Sequence, residues 1–388
     1  MAAFVPILSL LDLQNIRGQV RKPIPLGRDR LEDYTVLVPL FGSPEAMTNT
    51  DYLRSQREHV LVCVPESNSR EMEWMLAKLE REGIRVARLK ASQRALSKKW
   101  EILKHALAEP LDYHDTVLPE ASDLVSTSYV VFLDADSVPQ DDLALACGAM
   151  ARLELDLASV KVYPNRSRTI MEKLQGVEYD IAMLSRNYRP WLTSGACMIA
   201  RTEVMRVMMA KHSLYYYGGD VEIGMIAMNM KARIGHLDFR VLTDVPPTFL
   251  KWARQRIGWW AGSFRGAVTN ADKNLHSPVW LLYNLIVVWA LLPVKILILV
   301  EWPLTVLVAL GLYIPITFVG NWKVRSRWML VYPVYALVQL FAISPAGIWE
   351  YFSYARKTRN LGRMQRLSPV ELKTGRSRAE STLARRAG

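Results

Sequence analysis

Three nearly uncharged apolar runs follow one another in the last third of the chain. The run Pro278–Val300 contains a single charged residue, Lys295, and the runs Trp302–Gly320 and Trp328–Trp349 contain none. Each run is close to the ~20 helical residues that span a bilayer. Three buried helices of a soluble core are the alternative, but the tryptophans and tyrosines near the run ends favour a membrane. The pattern predicts an α-helical transmembrane region over residues 278–350.

Basic residues around these runs indicate how the chain crosses the membrane. The loop Asn321–Arg327 carries three basic residues, so we expect it on the cytosolic side. Pro333 and Pro345 interrupt the third run. We therefore expect this run to split or re-enter and to return the C-terminus to the cytosol. Three simple crossings are the alternative.

Positive charge is concentrated near the two ends of the chain. The formal net charge is +12, and residues 351–388 contribute ten Lys or Arg against two Glu. This basic tail follows the apolar runs and has few aromatic residues, so we expect membrane lipids with anionic headgroups as its partner and no nucleic acid. At the other end, the apolar Ala2–Leu11 and the basic Arg17–Arg30 predict a membrane-surface segment over residues 1–32.

Between residues 33 and 247, short apolar runs alternate with helical patterns. The runs expected to be buried strands are Thr35–Leu40, Val60–Val64, Arg85–Leu89, Tyr129–Leu133, Ser159–Val162, Cys197–Ala200 and Ile234–Val241. The helical stretches are Ser69–Glu82, Ser97–Ala108, Asp141–Arg152, Thr169–Tyr188 and Asp220–Arg233. This alternation predicts an α/β domain with a mostly parallel sheet. Ligands of such sheets bind at the carboxyl ends of the strands.

The cysteines and histidines argue against two kinds of site. Cys63, Cys147 and Cys197 are too far apart for a disulfide framework, and the six histidines show no zinc-binding spacing. A reducing, cytosol-facing catalytic region is therefore expected.

Two acidic motifs could carry chemistry. Asp134 and Asp136 directly follow the predicted strand Tyr129–Leu133, where both carboxylates can converge on Mg²⁺ or Mn²⁺ while phosphates fill the other positions. Farther on, Asp220 begins a predicted helix after two glycines, which allow a ligand to approach closely. Tyr215–Tyr217 precede it and supply aromatic surface for a sugar. The alternative for Asp220 is a helix cap that accepts backbone N–H groups.

A Trp- and Arg-rich stretch, Thr248–Trp260, precedes the first apolar run. On a helix, Trp252, Gln255, Arg256 and Trp259 share one face. This predicts an amphipathic interface region over residues 248–277, which anchors at the membrane or lines a binding site; the two roles are compatible.

In this order the motifs resemble the inverting family 2 glycosyltransferases, above all the membrane-embedded synthases of hyaluronan, chitin oligomers and cellulose. The resemblance covers roughly residues 33–350. It implies an α/β fold, with a cytosolic GT-A domain (Rossmann-like, mostly parallel sheet) followed by the C-terminal α-helical transmembrane region.

The resemblance also implies roles for particular residues. Asp220 would be the general base, and Asp136 would bind the metal. The residues implied to bind the donor are Pro39, Phe41, Glu66, Lys99, Asp134 and Asp136. The residues implied to line the acceptor/donor site are Ser194, Gly195, Ala196, Cys197, Gln255, Arg256 and Trp259.

Three positions depart from the family's pattern. Pro65-Glu66-Ser67-Asn68 stands in place of Asp-Asp-Gly-Ser, so Glu66 would replace an acid that binds uridine and ribose. Gly219 stands where the family has an acid before the base. Gly258 stands where it has the arginine of Gln-x-x-Arg-Trp, so a phosphate contact would come from Arg254 or Arg256 or be lost.

The activity implied is that of a membrane-bound inverting hexosyltransferase, expected in the plasma membrane. It would use Mg²⁺ or Mn²⁺ and a nucleotide-diphosphate sugar, expected to be a UDP-sugar, to elongate a polysaccharide; the acceptor is a saccharide or glycolipid. One carboxylate base and no nucleophilic carboxylate imply direct displacement. The alternatives are a non-processive transferase to polyprenyl phosphate or diacylglycerol, and a catalytically inactive membrane scaffold.

Overall fold

The structure is a computed structural model that describes residues 15–90, 97–107 and 124–365. Residues 1–14 of the predicted surface segment (1–32) and residues 366–388 of the predicted basic tail (351–388) lie outside the described residues. The chain forms two compact units. Among the described residues, the sheet unit comprises 24–90, 97–107, 124–162, 191–243 and 364–365, and the helical unit comprises 15–23, 163–190 and 244–363. This division differs from the predicted domain 33–247, because residues 163–190 join the helical unit.

Eight strands form one mixed sheet. In chain order they are β1 (Tyr34–Pro39), β2 (Val60–Pro65), β3 (Arg85–Leu89), β4 (Tyr129–Leu133), β5 (Ser137–Pro139), β6 (Leu157–Pro164), β7 (Cys197–Arg201) and β8 (Ile234–Thr243). Their spatial order is β3-β2-β1-β4-β7-β6-β8-β5.

Six of these strands point in the same direction. β1 pairs in parallel with β2 and β4, and β2 pairs in parallel with β3. β7 is antiparallel to both β4 and β6, and β5 is antiparallel to β8. β6 and β8 run together, since Asp156 donates its amide to Arg233 while Lys161 pairs with Asp238 farther along both strands. The predicted α/β fold with a mostly parallel sheet is thus confirmed, and β5 and β7 are the opposed strands.

The helices divide between the two units. In chain order they are α1 (Asn15–Val20), α2 (Thr50–Ser55), α3 (Arg70–Arg81), α4 (Lys98–Leu107), α5 (Leu143–Arg152), α6 (Ile170–Arg186), α7 (Thr202–Lys211), α8 (Gly219–Asn229), α9 (Phe249–Phe264), α10 (Pro278–Glu301), α11 (Thr305–Gly320) and α12 (Tyr332–Thr358). Side-chain caps start several of them. Thr169 and Glu172 form a reciprocal capping box at α6, and Ser69 caps α3.

The central strands are apolar because the sheet is covered on both faces. Every residue of β1, β2 and β4 is buried, whereas the edge strand β3 exposes Arg85 and Arg88. One core cluster joins the sheet to α4, α7 and α8, for example through Phe132, Leu103 and Met205. This packing holds the first turns of α4 and α8 relative to the end of β4.

Two helices of the helical unit are long and apolar enough to cross a membrane. α10 has 24 residues and α12 has 27 residues. The second predicted run forms α11, which has only 16 residues.

The predicted split of the third apolar run is corrected, because residues 332–358 form one helix. Pro333 and Pro345 each stand in the first turn of a helical segment, and a π-helical turn, Gln339–Ile343, joins the two segments. Proline is compatible with a first turn, where its missing N–H group would have no partner within that segment.

Cys63, Cys147 and Cys197 are free and buried. Burial raises the pKa of each of the three thiols.

Candidate active site

The turn after β4 presents Asp134 at the carboxyl edge of the sheet. The Asp134 amide donates to the carbonyl of Ala196 at 3.1 Å. Asn49, which is only 2% exposed, donates from Nδ2 to the carbonyls of Asp134 at 3.2 Å and Ser137 at 2.8 Å. The turn that carries both predicted carboxylates is therefore held by a buried amide from a distant part of the chain.

Lys99 reaches this turn from the first turn of α4. Its ammonium forms an ion pair with the Asp134 carboxylate and donates to the carbonyl of Gly195 at 3.3 Å. The same ammonium lies 5.2 Å from the centre of the Trp100 ring. Lys99 keeps 17% of its side chain exposed and Asp134 keeps 33%, so this cation is accessible to an anionic ligand.

Asp220 joins the cluster through Gly195. The Gly195 amide donates to Oδ2 of Asp220 at 2.9 Å. A Cβ atom built on Gly195 would lie 3.2 Å from Nζ of Lys99, and 3.7 Å from both Oδ2 of Asp134 and Oδ2 of Asp220. The ammonium and two carboxylates therefore converge on a residue that has no side chain.

Asp220 is not the cap of its helix. Gly218 is the N-cap of α8, with a left-handed φ of 71°, and no side chain caps the helix. The Asp220 carbonyl instead accepts from the hydroxyl of Thr193, and its carboxylate accepts from Gly195. No hydrogen bond to Oδ1 of Asp220 is formed by the described residues, and the residue is half-buried.

Trp100 explains why Gly219 departs from the family's pattern. A Cβ atom on Gly219 would lie 2.1 Å from Nε1 of Trp100. The Gly219 carbonyl accepts from Nε2 of His212 at 2.9 Å, while Nδ1 of His212 accepts from the amide of Leu214 at 2.9 Å. The Trp100 indole thus occupies the space that a side chain at position 219 would need, and the buried His212 binds the Gly219 carbonyl. Together they fix the backbone directly before Asp220.

Asp136 has a different environment from Asp134. Its Oδ1 accepts from the hydroxyls of Ser137 and Thr243, both at 3.3 Å. Among the described residues, no group of three or more His, Cys, Asp or Glu side chains could hold a metal ion. A hard divalent cation that takes one or two protein carboxylates and completes its shell with substrate phosphates fits this donor set.

The other residues predicted to bind the donor lie along the same edge of the sheet. Pro39 ends β1 and is buried, Phe41 follows and is exposed, and Glu66 follows β2. In the parallel pairing of β1 with β2, Pro39 lies opposite Cys63. In the pairing of β1 with β4, Leu37 lies opposite Phe132, so Pro39, two residues farther on, lies level with Asp134. Pro39 therefore lies close to the turn that carries Asp134, whereas no described contact links Glu66 to Asp134.

The predicted acceptor-side loop surrounds Gly195. The hydroxyl of Ser194 accepts from the amide of Ala196 at 3.3 Å, and Cys197 is fully buried at the start of β7. The side chain of Cys197 is therefore inaccessible to an acceptor. Of the tyrosines before Gly218, only Tyr216 is strongly exposed, at 53%, because Tyr215 and Tyr217 are buried.

Arg256 and its neighbours belong to the helical unit, and here the prediction needs correction. Arg256 is 1% exposed, and its guanidinium is bound by Glu178, Gln175 and Gln255. Because its side chain is enclosed in this way, Arg256 cannot make the predicted contact with a phosphate. Removing one partner of such a buried pair is strongly destabilising, which identifies Arg256 as structural.

The Arg256 network extends to the apolar helices. Glu178 also accepts from the hydroxyl of Tyr335 at 2.7 Å and from Nε2 of Gln339 at 3.1 Å. Nε1 of Trp252 donates to the same Tyr335 hydroxyl at 2.7 Å. The network therefore joins α6 and α9 to α12.

Trp259 sits at the exposed rim of this network. Its ring lies 3.8 Å from the Arg256 guanidinium and 6.4 Å from the ring of Tyr179, and 48% of its surface is exposed. The predicted common face of α9 therefore divides into buried Trp252 and Arg256 and exposed Trp259.

Comparison with known proteins agrees with this geometry. Residues 129–320 match the family model described as "Glycosyl transferase family group 2". The chain contains a glycosyltransferase family 2 domain. The matched segment begins at β4, directly before Asp134, and includes Gly195 and Asp220. No curated protein matches the chain.

Three solved structures resemble this chain to different degrees. A mannosyltransferase, PcManGT from Pyrobaculum calidifontis, in complex with GDP-Man and Mn²⁺, superposes with a TM-score of 0.50 at 14% identity and covers 92% of this chain and 97% of its own. S. aureus TarS 1-349 in complex with UDP gives a TM-score of 0.33 at 14% identity, covering 84% and 91%. A mycobacterial protein gives 0.35 at 16% identity, covering 62% and 74%. Only the first score supports a common fold.

We predict that Gly219→Ala lowers the stability of the chain and displaces Asp220. The added methyl group overlaps the Trp100 indole, and overpacking of this kind costs about 1–3 kcal/mol. Thermal unfolding of the purified chain measures this loss. Adding Trp100→Phe makes room, so the double variant should lose less stability than the sum of the two single changes.

Gly176→Ala is the matched control, because a Cβ atom there meets no atom within 4 Å. Gly176 lies inside α6, so alanine should leave the melting temperature of the chain unchanged or raise it. A Gly219→Ala chain as stable as the wild type would show that Trp100 does not fill this position.

Proposed function

We propose that this protein is an inverting glycosyltransferase that transfers a sugar from a nucleotide-diphosphate donor. The proposal rests on one observation: the side chains of Lys99, Asp134 and Asp220 all lie close to Gly195. One cation and two carboxylates with different partners supply the charges that such a transfer requires. The family 2 domain over residues 129–320 supports the same reaction class.

Lys99 and Asp136 form the donor end of the proposed site. The accessible ammonium of Lys99 suits a diphosphate, and placing positive charge where the leaving group gains negative charge lowers the barrier. Asp136 would hold the divalent cation, with phosphate oxygens completing the shell. When bound, Mg²⁺ or Mn²⁺ neutralises charge on the leaving nucleotide diphosphate.

Asp220 is the proposed base. The Gly195 amide orients its carboxylate by binding Oδ2, which leaves Oδ1 for the acceptor hydroxyl. Asp134 is paired with Lys99, so it is committed to the donor side and Asp220 alone remains to take the proton. With a single base and no second carboxylate acting as nucleophile, the sugar is displaced directly and its anomeric configuration inverts.

For the acceptor we propose a growing polysaccharide at a membrane, with a UDP-sugar as donor. The apolar helices α10 and α12 support membrane association, and the exposed indole of Trp259 suits the C–H face of a sugar. Ultrafiltration of product from a radiolabelled donor tests this proposal. Retained long polymer agrees with it, whereas label that extracts into organic solvent indicates transfer to a lipid acceptor.

Asp220→Asn should abolish most transfer while sparing the fold. Asparagine keeps the shape and can still accept from the Gly195 amide, but it cannot take a proton. We expect a loss of ~100-fold or more in kcat, with donor affinity and melting temperature near wild type. Steady-state transfer assays, nucleotide titration and thermal unfolding measure the three quantities.

The control for this variant is Asp51→Asn. Asp51 also lies in the first turn of a helix, α2, and its side chain is 97% exposed. The Asp51→Asn variant should transfer sugar at the wild-type rate. Near wild-type transfer by Asp220→Asn would refute Asp220 as the base.

Asp136→Asn should weaken the metal-dependent binding of a nucleoside diphosphate. Losing the negative carboxylate removes the protein's main ligand for the cation, so we expect affinity for UDP with Mn²⁺ to fall at least about tenfold. Calorimetric titration with and without EDTA measures it, and EDTA should bring the wild type down to the level of the variant. Glu45→Gln, at an exposed carboxylate outside the cluster, should bind normally. Unchanged Mn²⁺-dependent affinity in Asp136→Asn would contradict the assignment.

A further inference from the structure

Exposed basic residues gather on one surface of the helical unit, from α1 with the two residues that follow it and from the loop between α11 and α12. We call this surface the basic collar; its members are Arg17, Arg21, Lys22, Lys323, Arg325 and Arg327, all exposed. In sequence its two halves are about 300 residues apart. Neither half is accounted for by glycosyl transfer.

Gln19 holds the two halves of the collar together. Its Nε2 donates to the carbonyl of Gly320, and its Oε1 accepts from the amide of Lys323 at 3.0 Å. The Lys323 ammonium in turn donates to the main-chain carbonyl of Gln19. Gln19 is 1% exposed. These contacts make α1 and the 321–327 loop one surface.

The C-terminal end of α6 holds the first half of the collar in place. Asn187 donates from Nδ2 to the carbonyls of Gly18 at 2.9 Å and Arg21 at 3.3 Å. Gly18 allows this close approach, since a Cβ atom there would overlap the carbonyl of Leu184. The collar is therefore built into the fold.

The collar combines charge with exposed apolar side chains. Arg17, Arg21, Lys22, Arg325 and Arg327 form no ion pair with any residue that the structure describes. Between them lie Val20 and Trp322, which are 75% and 52% exposed. Unneutralised basic residues beside an exposed indole, at the ends of apolar helices, are typical of a surface at the level of lipid headgroups.

We propose that the basic collar binds the anionic headgroups of membrane lipids. This inference rests on the membrane association proposed above. The partner's chemistry follows from the charge complementarity and from the position of the collar, where α11 ends and α12 begins. The opposite turn, between Glu301 and Thr305, carries no basic residue, so the charge asymmetry assigns the collar to the cytosolic leaflet.

The test measures the thermal unfolding of the full chain in detergent with added phosphatidylglycerol or phosphatidylcholine. A lipid that binds the folded chain raises its melting temperature. We expect phosphatidylglycerol to stabilise the wild type more than phosphatidylcholine, and added salt to reduce the difference. Equal effects of the two lipids, or an equal effect of inorganic phosphate alone, would overturn the proposal.

Arg325→Gln with Arg327→Gln tests the collar itself. Each basic residue near an anionic surface contributes roughly fivefold in affinity, so the phosphatidylglycerol needed for half-maximal stabilisation should rise by roughly 30-fold. Lys78→Gln with Arg81→Gln, at exposed bases on α3, is the matched control and should behave as the wild type. A collar variant that keeps the full response would overturn the assignment.

Cell fractionation separates this proposal from the one on which it rests. A wild-type chain that needs detergent to leave the membrane, yet shows no preference for phosphatidylglycerol, refutes the collar alone. A chain recovered in the aqueous fraction without detergent refutes both membrane association and the collar. Nucleotide-sugar turnover should be unaffected in the collar variant, because these residues lie outside the proposed catalytic cluster.

Discussion

The ion pair between Lys99 and Asp134 is the contact on which the site depends, because it lets two carboxylates share one small space. A Cβ atom on Gly195 would lie 3.7 Å from an oxygen of each of Asp134 and Asp220, so these oxygens are at most twice that distance, about 7.4 Å, apart. At an effective dielectric constant of ~20, like charges at this separation repel by about 2 kcal/mol. The Lys99 ammonium offsets that repulsion by pairing with Asp134, which the proposed mechanism assigns to the donor side. Gly195 supplies both the space and the amide that orients Asp220.

The rest of the sheet unit serves to bring these groups together. Asp134 follows a fully buried strand, Lys99 lies on α4, and Asp220 begins α8, while the shared core of α4, α7 and α8 fixes their spacing. Asn49, Trp100 and His212 are buried and contact the turns that carry Asp134 and Asp220. Each of the three fixes the turn that it contacts, either by a hydrogen bond to a main-chain carbonyl or by filling the space beside it. The positions of Asp134 and Asp220 therefore depend on residues outside the proposed site.

Sequence patterns predicted the fold where burial is continuous and failed where contacts are distant. β1, β2 and β4 are buried on both faces and were visible as apolar runs, whereas β5 has three residues and α2 and α7 lacked a clear pattern. Asp134 and Asp220 were proposed from their motifs and Lys99 from the family resemblance, but only the fold shows that the three side chains approach Gly195. Asn49 and Trp100 carry no local signal, because their roles arise from contacts with residues far away in sequence. For the same reason, Arg256 was predicted on a binding face but is enclosed by Glu178 and Gln175.

Product stereochemistry tests the central claim, that Asp220 is the single base of a direct displacement, most directly. The purified full chain would be supplied with the nucleotide sugar that it turns over, and the configuration of the new glycosidic bond would be read from its anomeric proton by NMR. Because direct displacement involves only one attack at the anomeric carbon, the account predicts the configuration opposite to that of the donor. A product that retains the donor's configuration would contradict it.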